Sequence, residues 1–208
     1  MAEISDQAAS TLAEAMTRLL TEREAVPDEL ELLRSGDLSN REVALALIGR
    51  RPDGPLPRPG TAERRQYFAA MRSIQRYRAA PGRRERRLPS ARRMPQLREA
   101  TRRTVARERV DRLLRHGARV AITGTIRVSD QARRHRMPAV GMQAVSGPMW
   151  RPAIRAWLRG DMRDAGMEAL AAFFAAYWLG IRVPQIAGRS LDQPADVLEI
   201  ELVEAELR

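Results

Sequence analysis

An α+β protein is expected from three observations. Apolar residues recur at helical spacing up to about residue 115. The spacing switches to alternation just after Gly117, and alternation returns in the closing stretch VLEIELVEAELR. With 208 residues the chain has room for one sizeable domain or two small ones. The expected order is a helical domain over 1–80, an Arg-rich connector and long helix over 81–117, and an α+β domain over 118–208, whose small sheet packs on helices.

The first helix reads SDQAASTLAEAMTRLLTEREA. Ser5 or Asp6 caps it, and Ala9, Leu12, Met16, Leu19 and Leu20 form its apolar stripe. Pro27 opens a short second helix, PDELELLRSG, which Gly36 closes. The third, DLSNREVALALIGR, starts with Ser39 and Glu42 at capping-box spacing and stops at Gly49. RRPDGPLPRPG is a loop on its proline content alone. Thr61 caps TAERRQYFAAMRSIQRYRA, where Tyr67, Phe68, Met71, Ile74 and Tyr77 are interleaved with arginines, and Pro81-Gly82 ends it. Pro95 suits the first turn of a long helix, PQLREATRRTVARERVDRLLRHG, with Gly117 as its C′ residue.

Beyond Gly117 the period is two. In ARVAITGTIRVSD, Val120, Ile122, Gly124, Ile126 and Val128 share a face. A second strand covers roughly RRHRMPAVGMQAVSG and is broken at Pro138. Two helices follow, PAIRAWLRGDM and DAGMEALAAFFAAYWLG. Asp161 and Asp164 cap the second, which is apolar nearly all round and therefore a central core helix. In the closing strand Leu198, Ile200 and Leu202 face one way, Glu199 and Glu201 the other. Val203, Ala205 and Leu207 then continue out of phase, so a bulge or bend is expected. As the last strand it is expected at a sheet edge, open to a second copy, with its carboxylates meeting the arginines of 133–136 across the sheet or across a dimer.

Cys is absent, and the two histidines are His116 and His135, which excludes disulfides, a thiol nucleophile and a cysteine-based zinc site. No glycine-rich phosphate loop is present, so neither a metal nor a cofactor is expected, and no conventional catalytic constellation emerges. The start MAEISDQAAS is acidic and polar, and the apolar run 165–181 is interrupted by Glu168. A cytoplasmic, nucleoid-associated protein with no membrane partner is expected.

Charge is the more informative property. All 37 basic residues are Arg, and the formal net charge is +11. Residues 1–49 carry net −6 and residues 137–208 net −2, whereas residues 50–136 hold 26 Arg against 7 acids, net +19. A field so concentrated attracts polyphosphate over a range set by ionic screening.

LSNREVALALIG and MRSIQRYR resemble the two helices of a helix-turn-helix, with a longer connection than usual. On that reading the second helix enters the major groove. Arg64, Arg65, Arg72, Ser73, Gln75, Arg76 and Arg78 are the expected DNA contacts there, since Gln can pair with adenine and Arg with guanine. The connector and long helix add Arg83, Arg84, Arg86, Arg87, Arg92, Arg93, Arg98, Arg102, Arg103, Arg109 and Arg112 as a phosphate-tracking surface, and Arg133, Arg134 and Arg136 extend it. Glu99 with Arg102 or Arg103, and Glu108 with Arg112, are spaced to pair along the helix. With Trp, Tyr and Phe at three each, stacking on single strands is not the expected mode. The same features suit a helix-turn-helix transcriptional regulator with a C-terminal dimerisation unit.

The order of elements also resembles the telomere terminal proteins of actinobacterial linear chromosomes and plasmids, the Tpg family. The likeness runs over roughly residues 38–208, through SIQRYR, TRRTVARERVDRLLRHG, VAITGTIRV, RRHRM, MEALAAFFAAYW and VLEIELVEAEL. It implies a protein that binds telomeric DNA, primes end-patching synthesis and becomes attached to the 5′ end through a hydroxyl. The family's attachment segment follows the first strand of its C-terminal unit, where the nearest hydroxyls are Thr123, Thr125 and Ser129. The partners it implies are telomeric DNA, a DNA polymerase or telomere-associated protein, and a second copy of the chain.

Overall fold

The computed structural model describes residues 5–23, 28–79, 89–128, 131–138, 141–180, 185–186, 189–190 and 196–208. Its helices are α1 (Asp6–Thr21), α2 (Glu29–Arg34), α3 (Asn40–Leu47), α4 (Ala62–Arg78), α5 (Met94–Val105), α6 (Arg107–His116), α7 (Arg151–Arg159) and α8 (Met162–Gly180). Its strands are β1 (Ala118–Val128), β2 (Gln131–Met137), β3 (Gln143–Val145), β4 (Gln185–Ile186), β5 (Arg189–Ser190) and β6 (Asp196–Leu207). Among the described residues no helix is long and apolar enough to cross a membrane.

The α+β expectation holds, but the chain divides differently from 1–80, 81–117 and 118–208. One unit comprises residues 1–25, 108–157 and 161–208, and the other comprises 26–107 and 158–160. The first helix thus belongs with the sheet. The expected long helix is two helices: α5 ends at Val105, the next residue Ala106 has a ψ of 6° that leaves the helical region, and α6 begins at Arg107.

The sheet-bearing unit is built on β1. β6 pairs antiparallel along one edge of β1, and on the other edge β3 and β2 occupy successive stretches. The expected second strand is therefore two, β2 and β3, parted just beyond Met137. α1 is capped by Ser5, whose hydroxyl accepts from the Ala8 amide at 3.1 Å. Asp161 caps α8 by accepting from the Asp164 amide at 3.1 Å. Leu12, Met16, Val120, Trp150, Phe173 and Val203 converge around a cavity of about 10 Å³, so α1, α8 and the inner sheet face share one close-packed core.

β6 corrects the expected alternation. Its register against β1 shifts at two points, leaving Glu201 and Leu198 as extra residues, and the phase changes earlier than the sequence suggests. Ile200 is buried, but Leu202 is 48% exposed and lies on the outer face, while Val203 and Ala205 line the core. At the bulge a Cβ on Gly124 would come within 2.3 Å of the Glu199 carbonyl oxygen, so only glycine admits the close approach. The outer edge of β6 is not bare. Gln7 on α1 donates to the Ile200 carbonyl at 3.0 Å and accepts from the Ile200 amide at 3.1 Å, standing in for a neighbouring strand.

α1 and α8 pack through small residues. Ala8, Ala9 and Ala13 on one and Ala165, Gly166 and Ala169 on the other are all buried, and Ala9 meets Gly166 directly. A Cβ on Gly166 would sit 1.9 Å from the Ala9 carbonyl oxygen. In an isolated helix Gly→Ala favours the helical state by about 1 kcal/mol. Here Gly166→Ala is expected to destabilise the protein by about 1–3 kcal/mol, because α1 must retreat. Urea unfolding followed by tryptophan fluorescence reads the sign, and a stabilised variant would contradict the packing.

In the other unit α2, α3, α4 and α5 enclose a core of Leu32, Leu33, Leu38, Val43, Leu45, Tyr67, Ile74, Tyr77 and Leu97. Asp28 caps α2 by accepting from the Leu30 amide at 2.8 Å. The expected capping box of α3 is absent: Ser39 makes no side-chain cap, and Glu42 pairs instead with Arg107 at 2.8 Å. Thr61 caps α4, accepting from the Arg64 amide at 3.2 Å. The proline-rich loop before it is pinned by Arg50, which forms a two-point pair with Glu63, and by Arg41, which donates to the Gly54 carbonyl at 3.0 Å.

Candidate nucleic-acid interface

α4 presents two faces because its apolar residues recur every three or four positions. Tyr67, Ile74 and Tyr77 are buried in the core. Arg65, Phe68, Arg72 and Gln75 are exposed on the opposite side, with Arg76 half-buried beside them. The Arg76 guanidinium donates to the Arg72 carbonyl at 3.2 Å, which holds the side chain along the helix. Arg92 and Arg93, just before α5, are also exposed. Among the described residues Arg65, Arg72, Arg92 and Arg93 make no ion pair or side-chain hydrogen bond.

Three expected contacts on α4 have other work. Arg64 lies over Phe68 at 4.8 Å and Tyr67 at 5.7 Å and donates to the Pro57 carbonyl at 3.3 Å, so it ties the loop to the helix. Arg78 donates to the Leu38 carbonyl, and burial lowers its pKa. The Ser73 hydroxyl donates back to the Ala69 carbonyl at 3.0 Å.

The expected phosphate-tracking helix is largely neutralised inside the protein. Arg98 pairs with Glu29 at 2.8 Å, and Arg102 lies 4.0 Å from the same carboxylate. The Arg102 side chain is 11% exposed and its pKa is lowered, chiefly by burial, with Glu29 opposing. Arg103 pairs with Glu99 at 2.8 Å. Arg109 donates to the Leu19 carbonyl at 2.7 Å and pairs with Glu22. Arg112 donates to the Arg208 carbonyl at 2.9 Å and not, as spaced, to Glu108. The reason is chain-wide: the acidic N-terminal stretch supplies Glu22, Glu29 and Glu42 to arginines 65 to 87 residues away.

The outer face of the sheet repeats this. Arg134 pairs with Glu201 at 2.5 Å, Arg119 with Glu206 at 2.9 Å, and Arg136 meets Glu204 at 2.6 and 3.1 Å. Since β2 and β6 flank β1, the guanidiniums of Arg134 and Arg136 reach across the central strand. Hydrogen bonds from Arg136 hold the Glu204 carboxyl below its usual range. These surface pairs are individually weak, yet they spend the charge of Arg134 and Arg136 within the chain. Arg133 is exposed. Thr123 and Thr125 share this outer face and are half-buried between the pairs. Arg83, Arg84, Arg86, Arg87 and Ser129 lie outside the described residues. No group of three or more His, Asp or Glu among the described residues is placed to hold a metal.

Sequence reasoning missed Gln66 and Gln96, which with Ser73, Tyr77, Arg93 and Leu97 line a cavity of about 310 Å³ between α3, α4 and α5. The cavity exists only once α3 and α5 meet α4, and no local pattern announces it. Compared with protein-family models, curated proteins and solved structures, the chain matches none.

Proposed function

We propose that this is a DNA-binding protein of the terminal-protein type, in which residues 26–107 engage duplex DNA through the exposed face of α4 and the start of α5. The observation that carries the reading is the set Arg65, Arg72, Arg92 and Arg93, exposed and without ion pairs among the described residues, in a chain that pairs many of its other arginines. Four unneutralised guanidiniums around a helix that also displays Gln75 and Arg76 suit backbone contacts flanking base contacts. The chemistry of hydroxyl attachment has less support. Thr123 and Thr125 sit between guanidinium–carboxylate pairs, with Glu201 and Glu204 already engaged.

The test is fluorescence anisotropy on labelled duplexes from 50 to 300 mM salt. Replacing Arg65, Arg72, Arg92 and Arg93 together by Gln is expected to flatten the log–log salt slope by about 3 to 4 units, at about 0.9 for each phosphate no longer neutralised. Arg119→Gln with Arg163→Gln, which removes charge from the pairs with Glu206 and Asp6, should leave the slope in place. Equal slopes for wild type and the fourfold variant would remove α4 from the interface.

A further inference from the structure

The cavity beside α4 has the chemistry of a nucleotide site. Its volume of about 310 Å³ falls at the small end of ligand pockets. Leu47, Ile48, Leu97 and the Tyr77 ring give it apolar walls, while Gln66 and Gln96 bring carboxamides that both donate and accept. A bare anion would need neither the apolar walls nor the acceptors. A planar heterocycle needs both, its faces against apolar surface and its edge against amides. Arg93, also in the lining and without an ion pair among the described residues, supplies the cation for an attached phosphate. Gln66 and Ser73 follow Arg65 and Arg72 directly in α4, so DNA held by those arginines passes the cavity.

We propose that this cavity receives a single nucleotide of the bound DNA, one that is unpaired or extruded from the stack. The proposal rests on the DNA-binding reading of α4 and names the feature of DNA that the site selects. Extrusion costs least where the base is already unpaired, so the protein favours duplexes carrying a bulge or an unpaired terminal nucleotide.

A duplex with one bulged 2-aminopurine, compared with its fully paired counterpart, tests this. The wild-type protein should bind the bulged duplex about tenfold more tightly, with a change in 2-aminopurine fluorescence. Gln96→Trp, at an exposed position on the cavity wall, should abolish both the preference and the fluorescence change, leaving bulged and paired duplexes bound alike. Gln66→Ala, also exposed, should reduce the preference without altering thermal unfolding. Equal affinity for the two duplexes, or a preference that survives Gln96→Trp, overturns the proposal and leaves duplex binding by α4 standing. If deoxyadenosine monophosphate binds the wild type and not Gln96→Trp while bulged and paired duplexes bind alike, the cavity serves free nucleotides and the extruded base is ruled out. Failure to bind either duplex overturns the reading of α4, and this proposal with it.

Discussion

Glu29→Ala is expected to cost about 3–5 kcal/mol of stability, the range for removing one partner of a buried ion pair. The Glu29 side chain is 7% exposed and accepts from Arg98 at 2.8 Å, with Arg102 at 4.0 Å. Without the carboxylate, two guanidiniums are left close together, one of them almost out of water. Neither can shed its proton at neutral pH. Urea unfolding followed by far-UV circular dichroism measures the loss, and amide exchange over residues 26–107 locates it. A loss below about 1 kcal/mol would place the pair among solvated surface contacts. Glu29→Gln separates the two contributions, since it keeps an acceptor and removes only the charge.

Trp157→Ala is expected to have a comparable effect in the other unit, about 3–5 kcal/mol. Trp157 is fully buried, and its indole N–H donates to the Thr17 hydroxyl on α1 at 2.9 Å. Truncation strips away the ring's packing surface and leaves a hole beside Thr17 of α1. Trp157→Phe should cost less, because the ring volume is mostly kept and the Thr17 hydroxyl still donates to the Ala13 carbonyl at 2.9 Å. Differential scanning calorimetry on both variants checks the order. If Phe and Ala destabilise equally, the hydrogen bond matters more than the packing.

Much of the local structure was legible because it is encoded locally. Ser5, Thr61 and Asp161 cap the helices they precede, and the switch of period after Gly117 marks β1. The break at Ala106 was not legible, since TVARERV reads as continuous helix and only the division into units separates its halves. Leu202 misled for a related reason: alternation carries no information on where a bulge resets the phase. At the candidate interface, counting arginines located the basic region and overestimated its availability. Whether Arg102 or Arg72 faces water depends on carboxylates such as Glu29, far away in sequence, and net charge is blind to that pairing.

The division into units has a consequence for synthesis. Residues 26–107 are nearly self-sufficient in sequence, whereas the sheet-bearing unit takes α1 from one side of them and β6 from the far end. Gln7 and Ile200, which hold α1 to β6, are 193 residues apart. At roughly 5–20 residues per second, α1 emerges from the ribosome roughly 10–40 s before its partner strand. Until β1 and α8 emerge in their turn, the face carrying Leu12, Met16, Leu19 and Leu20 lacks its packing partners, while α2 to α5 can already close on their own core. The nascent chain thus passes through a stage with the proposed DNA-binding half assembled and a naked amphipathic helix ahead of it.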